Sequence, residues 1–117
     1  MYYKDSAGDT CEAKRRIRIV NGKPVTTWEC DIVNANILEV EAGTNGYCGG
    51  DTDHGSRTYF RIKNCGGTDM QVNQSRDGFS VALGGDSELM TIKDALRWIL
   101  SILEVQSETD GGIYGNQ

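Results

Sequence analysis

The sequence contains no apolar run approaching the ~18 residues that a membrane-crossing helix needs. Its opening stretch, MYYKDSAGDT, also lacks the apolar core of a secretion signal. Both absences predict a cytoplasmic protein with no membrane partner, in which Cys11, Cys30, Cys48 and Cys65 stay reduced. No C-x-x-C pair occurs among these cysteines, so neither a zinc ribbon nor a thioredoxin-type site is expected. Cations are in the minority: 12 Lys and Arg stand against 17 Asp and Glu, a formal charge of −5. Non-specific DNA binding draws its affinity from a basic footprint and is disfavoured here. The acidic balance suits solubility and would suit a partner with a basic surface. No G-x-x-x-x-G-K-[ST] occurs, and the spacing of Gly43, Gly46, Gly49 and Gly50 is not a dinucleotide fingerprint. There is no internal repeat, low-complexity tract or linker, and 117 residues suit one domain with a modest core.

What is present reads first as strands. Residues 14–20 alternate, with Arg16 and Arg18 on one face and Ile17 and Ile19 on the other, the period of a half-buried strand. Asn21-Gly22 supplies the positive-φ residues of a tight hairpin turn, and Pro24, the sole proline, suits a strand start or edge. Residues 25–30 return, with Trp28 and Cys30 sharing a face. Residues 36–41 form the next strand, Leu38 and Val40 inward and Glu39 and Glu41 outward. In residues 57–63, Thr58, Phe60 and Ile62 take one face and Arg57, Tyr59, Arg61 and Lys63 the other. Antiparallel pairing of these two strands lets Glu39 and Glu41 face the arginines, in cross-strand pairs worth a few tenths to ~1 kcal/mol. Residues 69–73 and 79–83 read as two shorter strands.

A helix follows. Thr91 is its candidate N-cap with Asp94 in the capping-box position, an alternative start lies at Asp86 or Ser87, and it runs to about residue 106. Leu89, Ile92, Leu96, Ile99, Leu100 and Leu103 fall on one stripe at helical spacing, with Ala95 at its margin, which predicts the core face. Trp98, Ile102 and Val105 extend the stripe sideways and are candidates for self-association into a homo-oligomer, since sizeable exposed apolar patches mark interfaces. The polar face is Lys93, Asp94, Arg97, Ser101 and Glu104. The expected class is therefore α+β: an antiparallel sheet of five to six strands with one long C-terminal helix packed on one face. Residues 1–106 make one domain, and 107–117 read as a polar tail.

Residues 42–56, AGTNGYCGGDTDHGS, place five glycines with Tyr47, Cys48, Asp51, Asp53 and His54 in one long loop between strands. Such loops are usually functional or disordered, and glycine admits close approach of a ligand or a second chain. The loop reads as a binding loop. Cys48, Asp51, Asp53 and His54 have the chemistry of metal ligands, but C-x5-H with intervening carboxylates matches no standard zinc arrangement. Asp51 to Gly55 matches the opening of a calcium loop, yet its twelfth position is Ile62 rather than an acid. Cys48 with His54 could form a nucleophile–base pair, but a catalytic pair needs fixed geometry and a third orienting group. Asx-type turn hydrogen bonds are the plainer role for Asp51 and Asp53. No catalytic residue, metal or cofactor is assigned. Arg57, Tyr59 and Arg61 interleave a ring with cations, and with Arg16 and Arg18 make a candidate phosphate or ligand face over which Tyr47 and His54 could close.

The block from Leu38 to Ile62, LEVEAGTNGYCGGDTDHGSRTYFRI, resembles a segment of small uncharacterised proteins from bacterial phages and mobile elements. The stretch LGGDSEL before the helix is similar to the same group. The resemblance carries no functional residue over. It implies a setting, in which small acidic phage proteins block host immunity by stoichiometric binding, as anti-CRISPR proteins do. On that footing the chain is expected to be a non-enzymatic counter-defence inhibitor of a bacterial immune protein such as a CRISPR–Cas effector, in the host cytoplasm. Asp51, Asp53, Glu39 and Glu41 would meet a basic groove, with Tyr47 as an apolar anchor. The alternative is a sponge for a small cyclic or ADP-ribose-type nucleotide, and the third class is a metal- or cysteine-dependent hydrolase.

Overall fold

Residues 2–4, 10–46 and 55–110 are described by the computed structural model, with side chains from 12 to 46 and from 55 to 108. Eight strands precede one helix: β1 (Tyr2–Lys4), β2 (Thr10–Glu12), β3 (Lys14–Val20), β4 (Lys23–Val33), β5 (Ile37–Thr44), β6 (Thr58–Gly66), β7 (Met70–Gln74), β8 (Phe79–Leu83) and α1 (Asp86–Asp110). Strands β3 to β6 form an antiparallel meander in chain order, while β1–β2 and β7–β8 are separate two-stranded ribbons. The architecture is the expected α+β fold with the C-terminal helix on one sheet face. The six strands read from the sequence are β3 to β8, but they divide between the four-stranded sheet and the β7–β8 hairpin.

Local chemistry accounts for the meander. Asn21 and Gly22 have φ of 48° and 86°, both in the left-handed region, and close the β3–β4 hairpin with Val20 opposite Lys23. β4 and β5 meet in register from Trp28 opposite Ala42 to Val33 opposite Ile37. Beyond Trp28 the two strands are bridged by a side chain: Gln106 donates from Nε2 to the Thr26 carbonyl at 2.9 Å and accepts from the Thr44 N–H at 2.9 Å. Its amide acts there as a substitute peptide, tying the end of α1 to two strands. Gly43 is required at this place, because a Cβ would meet the Thr26 carbonyl oxygen and lie 2.7 Å from Thr27 Cγ2.

The helix begins at Asp86, the earlier of the two starts, and continues to Asp110, so 107–110 are helical rather than part of a tail. Asp86 and Glu88 complement the N-terminal dipole. The Glu88 carboxylate also accepts the Asp69 N–H at 3.2 Å and the Ser87 hydroxyl at 2.9 Å, which lowers its pKa below the usual carboxylate range. Thr91 lies one turn inside the helix and is not its cap.

α1 crosses β5 and, less extensively, β4. The core consists of Cys30, Ile32, Leu38, Val40 and Ala42 from the sheet and Ala95, Trp98, Ile99 and Ile102 from the helix, with Trp28, Ile62, Met70, Ile92 and Leu103 half-buried around them. Ile99 is in the core as expected, with Ile92 and Leu103 at its edge, but the rest of the expected use of the helix is reversed. Trp98 and Ile102, candidates for an interface, are 0% and 1% exposed. Leu89, Leu96 and Leu100, expected in the core, are 55%, 52% and 55% exposed. The third interface candidate, Val105, is exposed but lies off the leucine stripe. The reason lies in the polar partners on the sheet side. Thr91 donates to Asn36 Oδ1 at 2.8 Å, and Asn34 Nδ2 donates to Thr91 Oγ1 and Asp94 Oδ2 at 3.2 and 3.3 Å. Asn36 in turn donates to the Thr68 hydroxyl at 2.9 Å. The bonds at the β4–β5 turn and those of Gln106 at the far end satisfy Thr91, Asp94 and Gln106 of α1, and so fix its rotation.

Cys30 is disulfide-bonded, whereas Cys65 is free and exposed. The expectation that all four cysteines stay reduced is corrected accordingly. Among the described residues no helix is long and apolar enough to cross a membrane.

Candidate functional site: the charged face of the sheet

The sheet face opposite α1 is charged because strand alternation sends the odd residues of β4, β5 and β6, and the even residues of β3, to that side. Glu29 and Glu41 are direct cross-strand partners there, and Arg61 lies opposite Glu41 on the other flank. Two carboxylates in that relation repel unless cations intervene. Arg61 supplies one, its Nη2 donating to Glu29 at 2.7 Å and to Glu41 at 2.9 Å while Nη1 reaches Glu39 at 3.1 Å. Arg18 supplies another, gripping Glu41 with Nε and Nη2, each at 2.7 Å. Arg16 holds the remaining Glu29 oxygen at 2.8 Å, and the Thr27 hydroxyl donates to Glu41 at 2.6 Å.

Glu41 is fully buried beneath this lattice. Burial would raise its pKa, but the hydrogen bonds from Arg18, Thr27 and Arg61 outweigh it and hold the carboxyl at about 2. Glu29 is lowered in the same manner, burial being overcome chiefly by Arg16. Hydrogen bonding to Glu41 raises Arg18 above its ordinary value; Arg61 is raised too, Glu41 and Glu39 overcoming its desolvation. The Arg18 guanidinium also sits 5.7 Å from the centre of the half-buried Tyr59 ring. The Glu29 and Glu41 carboxylates are therefore held ionised near neutral pH, and the arginines that would take a phosphate are already engaged.

The predicted ligand face is thus built, but as an internally paired lattice rather than an open basic patch. Tyr59 and Arg61 share it with Arg16 and Arg18, as the alternation implies. Arg57 does not converge on them: its guanidinium turns to the β3–β4 hairpin, donating to the Asn21 carbonyl at 3.2 and 3.4 Å and to the Ser56 carbonyl at 3.0 Å. Glu41, expected to present acidic charge to a partner, is buried and committed, and Glu39 is tied to Arg61. The cross-strand pairing of Glu39 and Glu41 with an arginine is as expected for Arg61.

Tyr47, Cys48, Asp51, Asp53 and His54 of the predicted binding loop lie outside the described residues. The neck of that loop is held by Asn45. Its Nδ2 donates to the Gly55 carbonyl at 3.1 Å, its Oδ1 accepts the Arg57 N–H at 2.6 Å, and its own N–H donates to the Arg57 carbonyl at 3.1 Å. Thr44 adds a bond to the Thr58 hydroxyl at 2.8 Å and accepts the Gly46 N–H at 3.0 Å. Among the described residues no group of three or more His, Cys, Asp or Glu could hold a metal. The sequence reading missed the cluster of Asn34, Asn36, Thr68, Thr91 and Asp94. Its signal is the N-A-N turn paired with polar residues at Thr91 and Asp94 on an otherwise apolar helix.

Comparison with protein-family models, with curated proteins and with solved structures found no match to this chain.

Proposed function

We propose that the protein is a non-enzymatic binding domain that acts by stoichiometric association with another protein. The observation that carries this reading is the apolar surface left on the flanks of the helix-side face. On edge strand β3, Ile17 and Ile19 are 63% and 71% exposed, because α1 packs chiefly on β5 and β4. On the other flank Phe60 of β6 packs against Phe79 of β8 with ring centroids 6.3 Å apart, and both remain exposed. Grouped apolar side chains in water mark protein contacts, and aromatic anchors dominate their energetics. The net charge of −5 adds electrostatic steering toward a basic partner. The resemblance of residues 38–62 to phage proteins narrows the partner to a bacterial immune protein, a CRISPR–Cas effector being the first to try.

Nucleotide sequestration, the alternative reading, draws less support, since Arg18 and Arg61 are held by Glu29, Glu39 and Glu41. The test is surface-immobilised binding of the purified chain to purified effectors, beside Ile17→Ser/Ile19→Ser and Phe79→Ser variants. Stoichiometric binding lost in either variant at unchanged melting temperature supports the proposal. Binding indifferent to both variants, or release of a nucleotide from the denatured wild-type protein in native mass spectrometry, overturns it.

A further inference from the structure

We infer that the outer face of α1 joins two copies of this chain in an antiparallel, twofold-symmetric helix pair. The inference is independent of the binding partner proposed above. At 3.6 residues per turn, Leu89, Leu96 and Leu100 fall within about 40° of one another on the helix surface. All three are exposed, on the side of α1 turned away from the sheet. The half-buried Ile92 and Leu103 border this stripe on one side. On its other side runs a row of exposed charges, Lys93, Arg97, Glu104 and Glu108. The row is ordered, with both cations in the first half of the helix and both anions in the second.

That order selects the partner and its direction. In a twofold antiparallel pair each helix shows the same flank to its mate, running the opposite way, so a basic-then-acidic flank is complementary to itself. With Leu100 packed on the partner's Leu100 near the axis, Lys93 comes opposite the partner's Glu108 and Arg97 opposite the partner's Glu104. A parallel pair would set this flank against the opposite one, where Ala95, Ile99 and Gln106 are turned to the core or to β4 and β5, and the row would meet no complementary row on the other helix; Arg97 would keep only its contact with Asp94 of its own helix, at 3.6 Å. The leucine stripe from Leu89 to Leu100 runs about 17 Å along the helix, and the charged row from Lys93 to Glu108 about 22 Å.

The experiment is sedimentation equilibrium on the full chain across a concentration series, with circular dichroism to check the fold. Wild type is expected to be dimeric. Leu96→Asp/Leu100→Asp, altering exposed positions, is expected to give a folded monomer. Lys93→Glu/Arg97→Glu should weaken dimerisation on the order of tenfold or more. Adding Glu104→Lys/Glu108→Lys to that variant should restore it, because the flank is again complementary to its own reverse. A monomeric wild type, an oligomer indifferent to the leucine changes, or a fourfold charge variant no tighter than the double variant would each overturn the inference.

Discussion

Replacing Glu41 by Gln tests the charged lattice most directly. The change keeps the shape of the side chain and removes the charge that Arg18 and Arg61 both grip. A carboxyl held at about 2 instead of its ordinary 4.5 corresponds to roughly 3 kcal/mol of folding stability. The sign follows from the direction of the shift. Because the folded value lies below the unfolded one, this stability is fully present above pH 4.5 and drains away as pH falls from there toward 2. Loss of one partner of a fully buried pair costs about 3–5 kcal/mol, but Arg18 and Arg61 keep some contact with water and can turn toward it. Glu41→Gln is therefore expected to cost about 2–3 kcal/mol at pH 7. Urea unfolding between pH 7 and pH 2.5 reads both effects. Wild type should lose stability steeply below pH 4.5, and the variant should be less stable at neutral pH and flatter in acid by a similar amount. Glu29, also lowered, leaves a smaller acid dependence in both proteins. A cost below about 0.5 kcal/mol, or an unchanged acid slope, would refute the assignment of Glu41 as the keystone of this face.

Three further outcomes are expected. Gly43→Ala drives a methyl into the backbone of Thr26 and Thr27 and should destabilise by more than about 2 kcal/mol in denaturant unfolding, far beyond an ordinary surface change. Gln106→Ala removes both bonds to the Thr26 and Thr44 backbone, should cost about 1–3 kcal/mol, and should speed hydrogen exchange at the Thr44 amide specifically. Trp98→Ala should cost about 3–5 kcal/mol, whereas Trp98→Phe should cost much less, since it also removes a buried indole N–H that has no hydrogen-bond partner among the described residues.

The strands were legible because their signals are local. Alternation in β3 and β5 and the Asn21-Gly22 turn are each written within a few residues, and the pairing of Glu39 and Glu41 across to Arg61 follows once the two neighbouring strands are set antiparallel. The state of the charges was not. That Arg16, Arg18 and Arg61 would be consumed by Glu29, Glu39 and Glu41 depends on register across four strands, and on Glu29 falling opposite Glu41, which no single segment reveals. The disulfide at Cys30 was missed for a similar reason: bonding of a cysteine depends on which strands meet, while absent C-x-x-C spacing speaks only to metal and redox motifs.

The rotation of α1 is the instructive error, because two apolar stripes competed on nearly equal terms. Leu89, Leu96 and Leu100 offer as much hydrocarbon as Trp98, Ile99 and Ile102, so burial alone, at roughly 1.5–3 kcal/mol per large side chain, does not decide between them. The neighbours decide. Lys93 and Glu104 flank the leucine stripe, within about 80° of its centre at 100° per residue, and turning the leucines to the sheet would carry both charges toward the core without partners. The side chains flanking Trp98 are Thr91, Asp94 and Gln106, and each finds a bond at the sheet: Asn36, Asn34, and the Thr26 and Thr44 backbone. The helix therefore buries the stripe whose polar borders can be satisfied, and leaves its leucines in water beside an ordered row of charges. If that choice is energetic in the way argued, Thr91→Val/Asp94→Leu should lose stability despite adding apolar surface, by about 1–3 kcal/mol for the orphaned amides of Asn34 and Asn36. Increased stability in that double variant would show instead that hydrophobic area sets the rotation of α1.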